Sequence, residues 1–280
     1  MRRVFLIALV FLLTSIVGAC GSAAPASTPT PTSQTAASTP AAVTFANPNL
    51  LVDTEWLAQH LNDPNVRVVD VRKADAFKSG HIKNSVNLDT MDSKGSMYDQ
   101  TSQTQWIVLP KDKFESLLSD LGTDKDTIVV AVDDAKMLWA SRFFWTLEYY
   151  GHGDGKARVL DGGLKKWQAE NRELTTDVAQ VQKIALVTHQ AIPARIALKQ
   201  QIIDWIGNKN TAILATIPES EYKGGNAKNH LKGGHIPGAL QLDWTENLTS
   251  GDVPVFKSAA ELSQMYEKLG ITKDKNVVLY

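Results

Sequence analysis

The amino-acid sequence predicts an α/β protein made of two tandem copies of one fold, each a mostly parallel sheet flanked by helices. Three observations predict it. Segments with a helical apolar period alternate with short strand-like runs beyond residue 47. Those runs are rich in Val, Ile and Ala, as strands buried under helices on both faces must be. Pieces of the first half also recur in the second: Gly80-His81-Ile82 answers Gly234-His235-Ile236, and Leu121-Gly122-Thr123-Asp124-Lys125-Asp126 answers Leu269-Gly270-Ile271-Thr272-Lys273-Asp274.

In chain order, residues 53–61 predict a helix with Asp53 or Thr54 at its start and Trp56, Leu57 and Leu61 on one face. Val66-Arg67-Val68-Val69-Asp70-Val71 reads as a strand. Residues 111–121 predict a helix closed by Gly122, residues 127–132 a buried strand, residues 137–150 a helix closed by Gly151, and residues 157–160 another strand. Asp161-Gly162-Gly163 turns that strand into a helix with Trp167 in the core. The second copy repeats the order with a helix over 198–206, a strand over 211–215, a helix over 261–269 and a strand over 276–280.

Ahead of the repeat stand Arg2 and Arg3, an apolar run over 4–17, and then Val17-Gly18-Ala19-Cys20. The run is too short to be read as a membrane span. The quartet resembles the lipobox of bacterial lipoproteins, which implies export and a lipid on Cys20; an ordinary signal peptide or an uncleaved anchor helix is the alternative. The expected organisation is a signal peptide over 1–20, a Ser/Thr/Pro/Ala tether over 21–46, a first domain over 47–175, a connector over 176–195 and a second domain over 196–280. The tether has too little apolar surface to offset its ordering entropy. The anchored chain would face the outside of the cytoplasm, with the identity of the membrane left open.

The chain carries 29 Lys and Arg against 30 Asp and Glu, a formal charge of -1, which argues against nucleic acid as a partner. Its single cysteine leaves no disulfide, so packed cores must provide the stability.

Three passages of the first copy resemble the rhodanese superfamily in its tandem thiosulfate or 3-mercaptopyruvate sulfurtransferase form. They are Val69-Asp70-Val71-Arg72 with Phe77-Lys78-Ser79-Gly80-His81-Ile82, the helix end Tyr149-Tyr150-Gly151-His152, and Val159-Leu160-Asp161-Gly162-Gly163-Leu164. Glu221-Tyr222, Gly234-His235-Ile236-Pro237-Gly238 and Val278-Leu279-Tyr280 match in the second copy. Asp70, Arg72, His81, Asp161, Gly162, Gly163 and His235 are read as structural: a charge pair bracing a loop, histidines bonded to adjacent backbone, and a tight turn.

The resemblance implies transfer of sulfane sulfur from a small donor anion to a thiol or cyanide acceptor, through a persulfide on a cysteine in the loop after the fourth strand of the second domain. It implies no cofactor. In the first copy that loop reads Asp133-Asp134-Ala135-Lys136, and a carboxylate there is expected to repel an anionic donor. Placing Tyr280 opposite Val132 puts the catalytic cysteine just past Tyr280, so no catalytic residue is expected within the chain, which reads as a fragment. Ala215 and Ile217 fall opposite Asp70 and Arg72, and Glu221 stands where the family's donor-binding arginine is expected. Lys223, Lys228 and Lys232 lie on an insertion read as a solvated loop. Six histidines show no zinc-like spacing, and neither His230 nor His235 argues for a metal. The competing reading is a non-catalytic binding or scaffold lipoprotein.

Overall fold

The computed structural model describes residues 43–90, 97–102, 106–153, 155–225 and 232–280. All belong to the second of two compact units, Ala42–Tyr280; Cys20, the signal segment and most of the tether lie outside the described residues. Among those described, no helix is long and apolar enough to cross a membrane.

The first half runs β1 (Leu51–Val52), α1 (Thr54–His60), β2 (Val66–Asp70), α2 (Ala74–Ser79), β3 (Val86–Asn87), α3 (Lys111–Asp120), β4 (Ile128–Val132), α4 (Leu138–Tyr149), β5 (Ala157–Leu160) and α5 (Gly163–Ala169). Asp53 caps α1, its carboxylate accepting the Trp56 N–H at 2.7 Å. The strands form one parallel sheet in the order β1-β5-β4-β2-β3. Alternation along β2 and β4 sends side chains to two cores. Val69, Val129 and Ala131 pack against Phe114, Leu118, Phe143 and Leu147 of α3 and α4. Val66, Val68, Val130 and Val132 pack against Leu57, Leu164 and Trp167 of α1 and α5. Both faces of β4 are thereby dry, which accounts for its unbroken apolar run Ile128-Val129-Val130-Ala131-Val132.

After an irregular stretch the second half runs α6 (Lys199–Trp205), β6 (Thr211–Ala215), α7 (Glu219–Tyr222), β7 (Leu240–Gln241), α8 (Ala259–Lys268) and β8 (Asn276–Leu279), with a parallel sheet in the order β7-β6-β8. Several bonds of the first half recur in it. Asp70 pairs with Asn87 and Ala215 with Gln241; the Asn87 amide donates to Arg72 O at 2.8 Å, and the Gln241 amide to Ile217 O at 3.1 Å. The Leu88 N–H reaches Asp70 O at 2.9 Å, and the Leu242 N–H reaches Ala215 O at 3.0 Å.

Helix ends shift by one or two residues from the pattern in the sequence, because capping decides them rather than apolar period. α8 starts at Ala259, ahead of residue 261, since Ser258 and Glu261 form a capping box: the Ser258 hydroxyl accepts the Glu261 N–H at 3.3 Å and the Glu261 carboxylate accepts the Ser258 N–H at 2.9 Å. The two-residue strands β1, β3 and β7 and the short helices α2 and α7 have too few residues to show a period, and the sequence reading lacks them.

Candidate active site

The candidate loop of the first half starts at the C-terminal end of β4, and the matching position of the second half is the end of β8. After Val132 the chain turns through 133–137 into α4, with Lys136 and Met137 both left-handed at φ 58° and 64°. That winding turns successive N–H groups inward to make an anion-binding concavity. Asp133 fills it. Its Oδ1 accepts the N–H groups of Ala135 and Met137, each at 2.9 Å, and its Oδ2 accepts those of Trp139 at 2.8 Å and Ala140 at 2.9 Å. The side chain is almost wholly buried. Burial holds its pKa above the ordinary value, while the four N–H donors pull the other way.

The Asp133 carboxylate therefore does not face a donor to repel it, as the sequence suggests. It occupies the cradle as a built-in anion.

Asp161-Gly162-Gly163 closes the cradle from behind. The Leu164 N–H donates to Asp133 O at 2.8 Å, and a Cβ on Gly163 would stand 2.4 Å from that same oxygen. The Gly162 N–H points to the Met137 sulfur at 3.2 Å. The Asp161 Oδ1 accepts the Phe256 N–H at 2.9 Å, which fastens this turn to the second half. Burial pushes the Asp161 pKa up.

Asp70 and Arg72 form a buried two-pronged pair, with Nη2 to Oδ2 at 2.6 Å and Nε to Oδ1 at 3.0 Å, and Arg72 also donates to Gly80 O at 2.8 Å. The pair thus braces the segment that carries α2. His81 stacks on Phe77 with ring centroids 3.7 Å apart and sets Nδ1 2.8 Å from Phe77 O. His235 repeats this on Tyr222, at 3.7 Å and 2.9 Å.

In the second half Tyr280 is the structural counterpart of Val132. The Thr216 N–H donates to Tyr280 O at 2.9 Å, as the Val71 N–H donates to Val132 O at 2.9 Å. The Tyr280 hydroxyl accepts the Ile236 N–H at 3.0 Å. Ala215 and Ile217 stand in the places of Asp70 and Arg72, so this half has no such brace. Glu221 is half-buried in α7, and Lys223 is exposed and paired with Glu219 at 2.6 Å. Lys232 is exposed, and Lys228 and His230 lie outside the described residues. Between Arg195 and Tyr280 the sequence has no arginine.

A cleft of about 310 Å³ opens where the Asp133 loop meets the segment before α8, lined by Lys136, Thr245, Thr249, Ser250 and Lys257 among others. Its lining thus combines two lysines and three hydroxyl side chains with one carboxylate, Glu246. Sequence reasoning missed this cleft, because Lys136 and Lys257 are far apart along the chain. Among the described residues, no group of three or more His, Cys, Asp or Glu is placed to hold a metal.

The chain is similar to known proteins over most of its length. A model of the rhodanese-like domain matches residues 53–170. The sulfur carrier protein TtuD of Thermus thermophilus is 32% identical over 248 residues, covering 84% of this chain and 83% of that protein. The thiosulfate sulfurtransferase of Azotobacter vinelandii is 29% identical, with 84% and 83% covered. Among solved structures, SseA from Escherichia coli, described as a 3-mercaptopyruvate sulfotransferase, superposes with a TM-score of 0.71 at 24% identity, covering 82% of this chain and 87% of that one; the likeness is one of fold. With TtuD similar at that level across more than four-fifths of both sequences, and with its first sheet matching the domain model, the chain belongs to the rhodanese family.

Proposed function

We propose that the protein is a lipid-anchored sulfurtransferase of the thiosulfate or 3-mercaptopyruvate class, carrying sulfane sulfur as a persulfide on a cysteine in the loop entered from Tyr280. One observation carries the reading: the bond from Thr216 N–H to Tyr280 O duplicates the bond from Val71 N–H to Val132 O. That match supports an anion cradle at the second loop like the one around Asp133. Sulfurtransferase relatives support the class of reaction. The first loop takes no part, because its cradle already holds Asp133.

Backbone N–H groups in such a cradle favour thiolate over thiol. The thiolate attacks the outer sulfur of thiosulfate; a new S–S bond forms as the old one breaks, and sulfite leaves with the bonding pair. With 3-mercaptopyruvate the C–S bond breaks instead, and the pyruvate enolate takes up a proton. Cyanide or a thiolate then attacks the terminal sulfur, forming thiocyanate or a new persulfide and restoring the thiolate.

The test is the reading frame continued past Tyr280, expressed as the whole protein and incubated with thiosulfate. Expected are one added sulfur atom by mass spectrometry and thiocyanate on adding cyanide. A second loop without cysteine, or a cysteine that gains no sulfur, would sink the enzyme reading. That outcome favours a non-catalytic binding lipoprotein, a reading supported by Ala215 and Ile217 in the places of Asp70 and Arg72.

The anchor has its own test. Expressed in a bacterium fed labelled palmitate, the parent chain incorporates label and partitions with membranes, and Cys20→Ser does neither. Label retained in Cys20→Ser overturns the anchor.

A further inference from the structure

Two buried histidines, far apart in sequence, meet where the segment after α5 lies against the first sheet's helices. His152 follows α4 and is 3% exposed; His189 belongs to the irregular segment before α6 and is 7% exposed. Their ring centroids are 6.0 Å apart with planes at 39°, and both rings line a cavity of about 180 Å³ together with Lys125, Tyr150 and Gln190.

Backbone carbonyls fix both tautomers. His152 Nε2 lies 2.9 Å from Thr127 O, and His189 Nδ1 lies 2.8 Å from Val187 O. A carbonyl only accepts, so each of these nitrogens carries the proton and the other nitrogen of each ring holds a bare lone pair. Those two atoms, His152 Nδ1 and His189 Nε2, are buried and have no hydrogen-bond partner. Buried acceptors without a partner are costly unless something is bound to them.

We propose that His152 and His189 form a two-imidazole site for a divalent ion of the zinc type, with water from the adjacent cavity completing its coordination. The tautomers are those of metal-ligating histidines, which donate the other ring N–H to a backbone carbonyl. Zn–N bonds are about 2.0–2.1 Å and a ring nitrogen is about 1.1 Å from its centroid, so two imidazoles on one ion hold centroids about 5.2 Å apart at the tetrahedral angle and at most about 6.3 Å when they oppose each other. The observed 6.0 Å lies between these, and ion binding draws the two rings together by about 0.8 Å to reach the tetrahedral arrangement. Glu115, whose carboxylate accepts the backbone N–H of His189 at 2.7 Å and pairs with Lys111 at 2.8 Å, and Asp124 favour a cation here, against Lys111, Lys125 and Lys156. A bound ion would fasten the segment carrying His189 to the end of α4. This site is independent of the sulfur chemistry proposed above.

The test uses the untagged protein, stripped with chelator, and Zn2+ as the probe. His152→Gln keeps a donor for Thr127 O and removes the lone pair; His189→Asn does the same for Val187 O. Zn2+ is expected to raise the thermal midpoint of the parent by several degrees and that of the double variant not at all. X-ray absorption at the zinc edge of the loaded parent, which needs no variant to fold, should show two imidazole nitrogens. No shift in the parent, an equal shift in the double variant, or a zinc spectrum without two imidazoles overturns the site.

Discussion

The Asp161 carboxylate accepts the Phe256 N–H at 2.9 Å, so the turn that seals the Asp133 cradle is also a joint between the two halves of the protein. Asp161→Ala removes this acceptor and is expected to destabilise the protein by about 1–2 kcal/mol. Asp161→Asn, which keeps an oxygen in place, recovers most of the loss. Urea unfolding followed by tryptophan fluorescence checks both, and equal losses in the two variants would refute the bond's role.

Arg72→Ala leaves the Asp70 carboxylate buried without its cationic partner. Breaking a buried pair in this way costs roughly 3–5 kcal/mol. Arg72→Lys is expected to recover little, because one ammonium cannot span both Asp70 oxygens and Gly80 O. Chemical denaturation gives the ranking.

Two glycines with similar backbone separate strain from crowding. Gly163 has φ +56° and Gly270 φ +74°, but a Cβ at Gly163 meets Asp133 O at 2.4 Å whereas one at Gly270 meets nothing within 4 Å. Gly270→Ala should cost about 1–2 kcal/mol from the left-handed backbone alone. Gly163→Ala should cost distinctly more, since the oxygen it strikes is backbone that positions the cradle. Matching unfolding midpoints for the two variants would contradict the packing described.

Asp133→Asn offers an amide NH2 where two of the four cradle N–H groups require an acceptor. The expected loss is roughly 1–3 kcal/mol for each N–H left unpaired. Amide hydrogen exchange at Trp139 and Ala140, or at Ala135 and Met137, should accelerate according to the side on which the NH2 settles.

His152 makes stability depend on pH. Burial lowers its pKa from 6.5, aided by His189 and Lys156 and opposed by the Thr127 carbonyl and Asp124; Lys125 and Tyr150 line the same cavity, and Glu115 touches His189. A depressed folded pKa means that its contribution is fully present above 6.5 and is lost as pH falls through that value toward the folded one. With chelator present, unfolding free energy should drop by at most about 1.4 kcal/mol per pH unit for this proton. His152→Gln should flatten that part of the profile, and an unchanged slope would refute the assignment.

What the sequence reveals and hides follows from the range of each interaction. β6 is legible to the residue, because the apolar run Ala212-Ile213-Leu214-Ala215 is bounded by Thr211 and Thr216 and lies buried on both faces. The placing of Tyr280 opposite Val132 is legible from the repeat, since Leu121-Gly122 and Leu269-Gly270 stand at the same distance ahead of Val132 and Tyr280 and impose one register. The filled cradle is not. It depends on left-handed backbone at Lys136 and Met137, residues whose side chains give no hint of it, and an aspartate in a loop reads as solvated until its four donors are seen. The pairing of His152 with His189 is hidden for another reason: it is made by the path of an irregular segment, which carries no period to read.

The stacked pairs Phe77–His81 and Tyr222–His235 share one geometry, with planes 7° and 6° apart, at two depths, since His81 is fully buried and His235 is exposed. The molecule therefore contains its own calibration. Differences between the two imidazoles in ring N–H exchange or ring dynamics report what burial, the contact of His81 Nε2 with Asp177 O at 3.1 Å and the change of partner from Phe77 to Tyr222 together do to one stacking geometry, within one sample and under one set of conditions. Duplication has left a paired experiment inside a single chain.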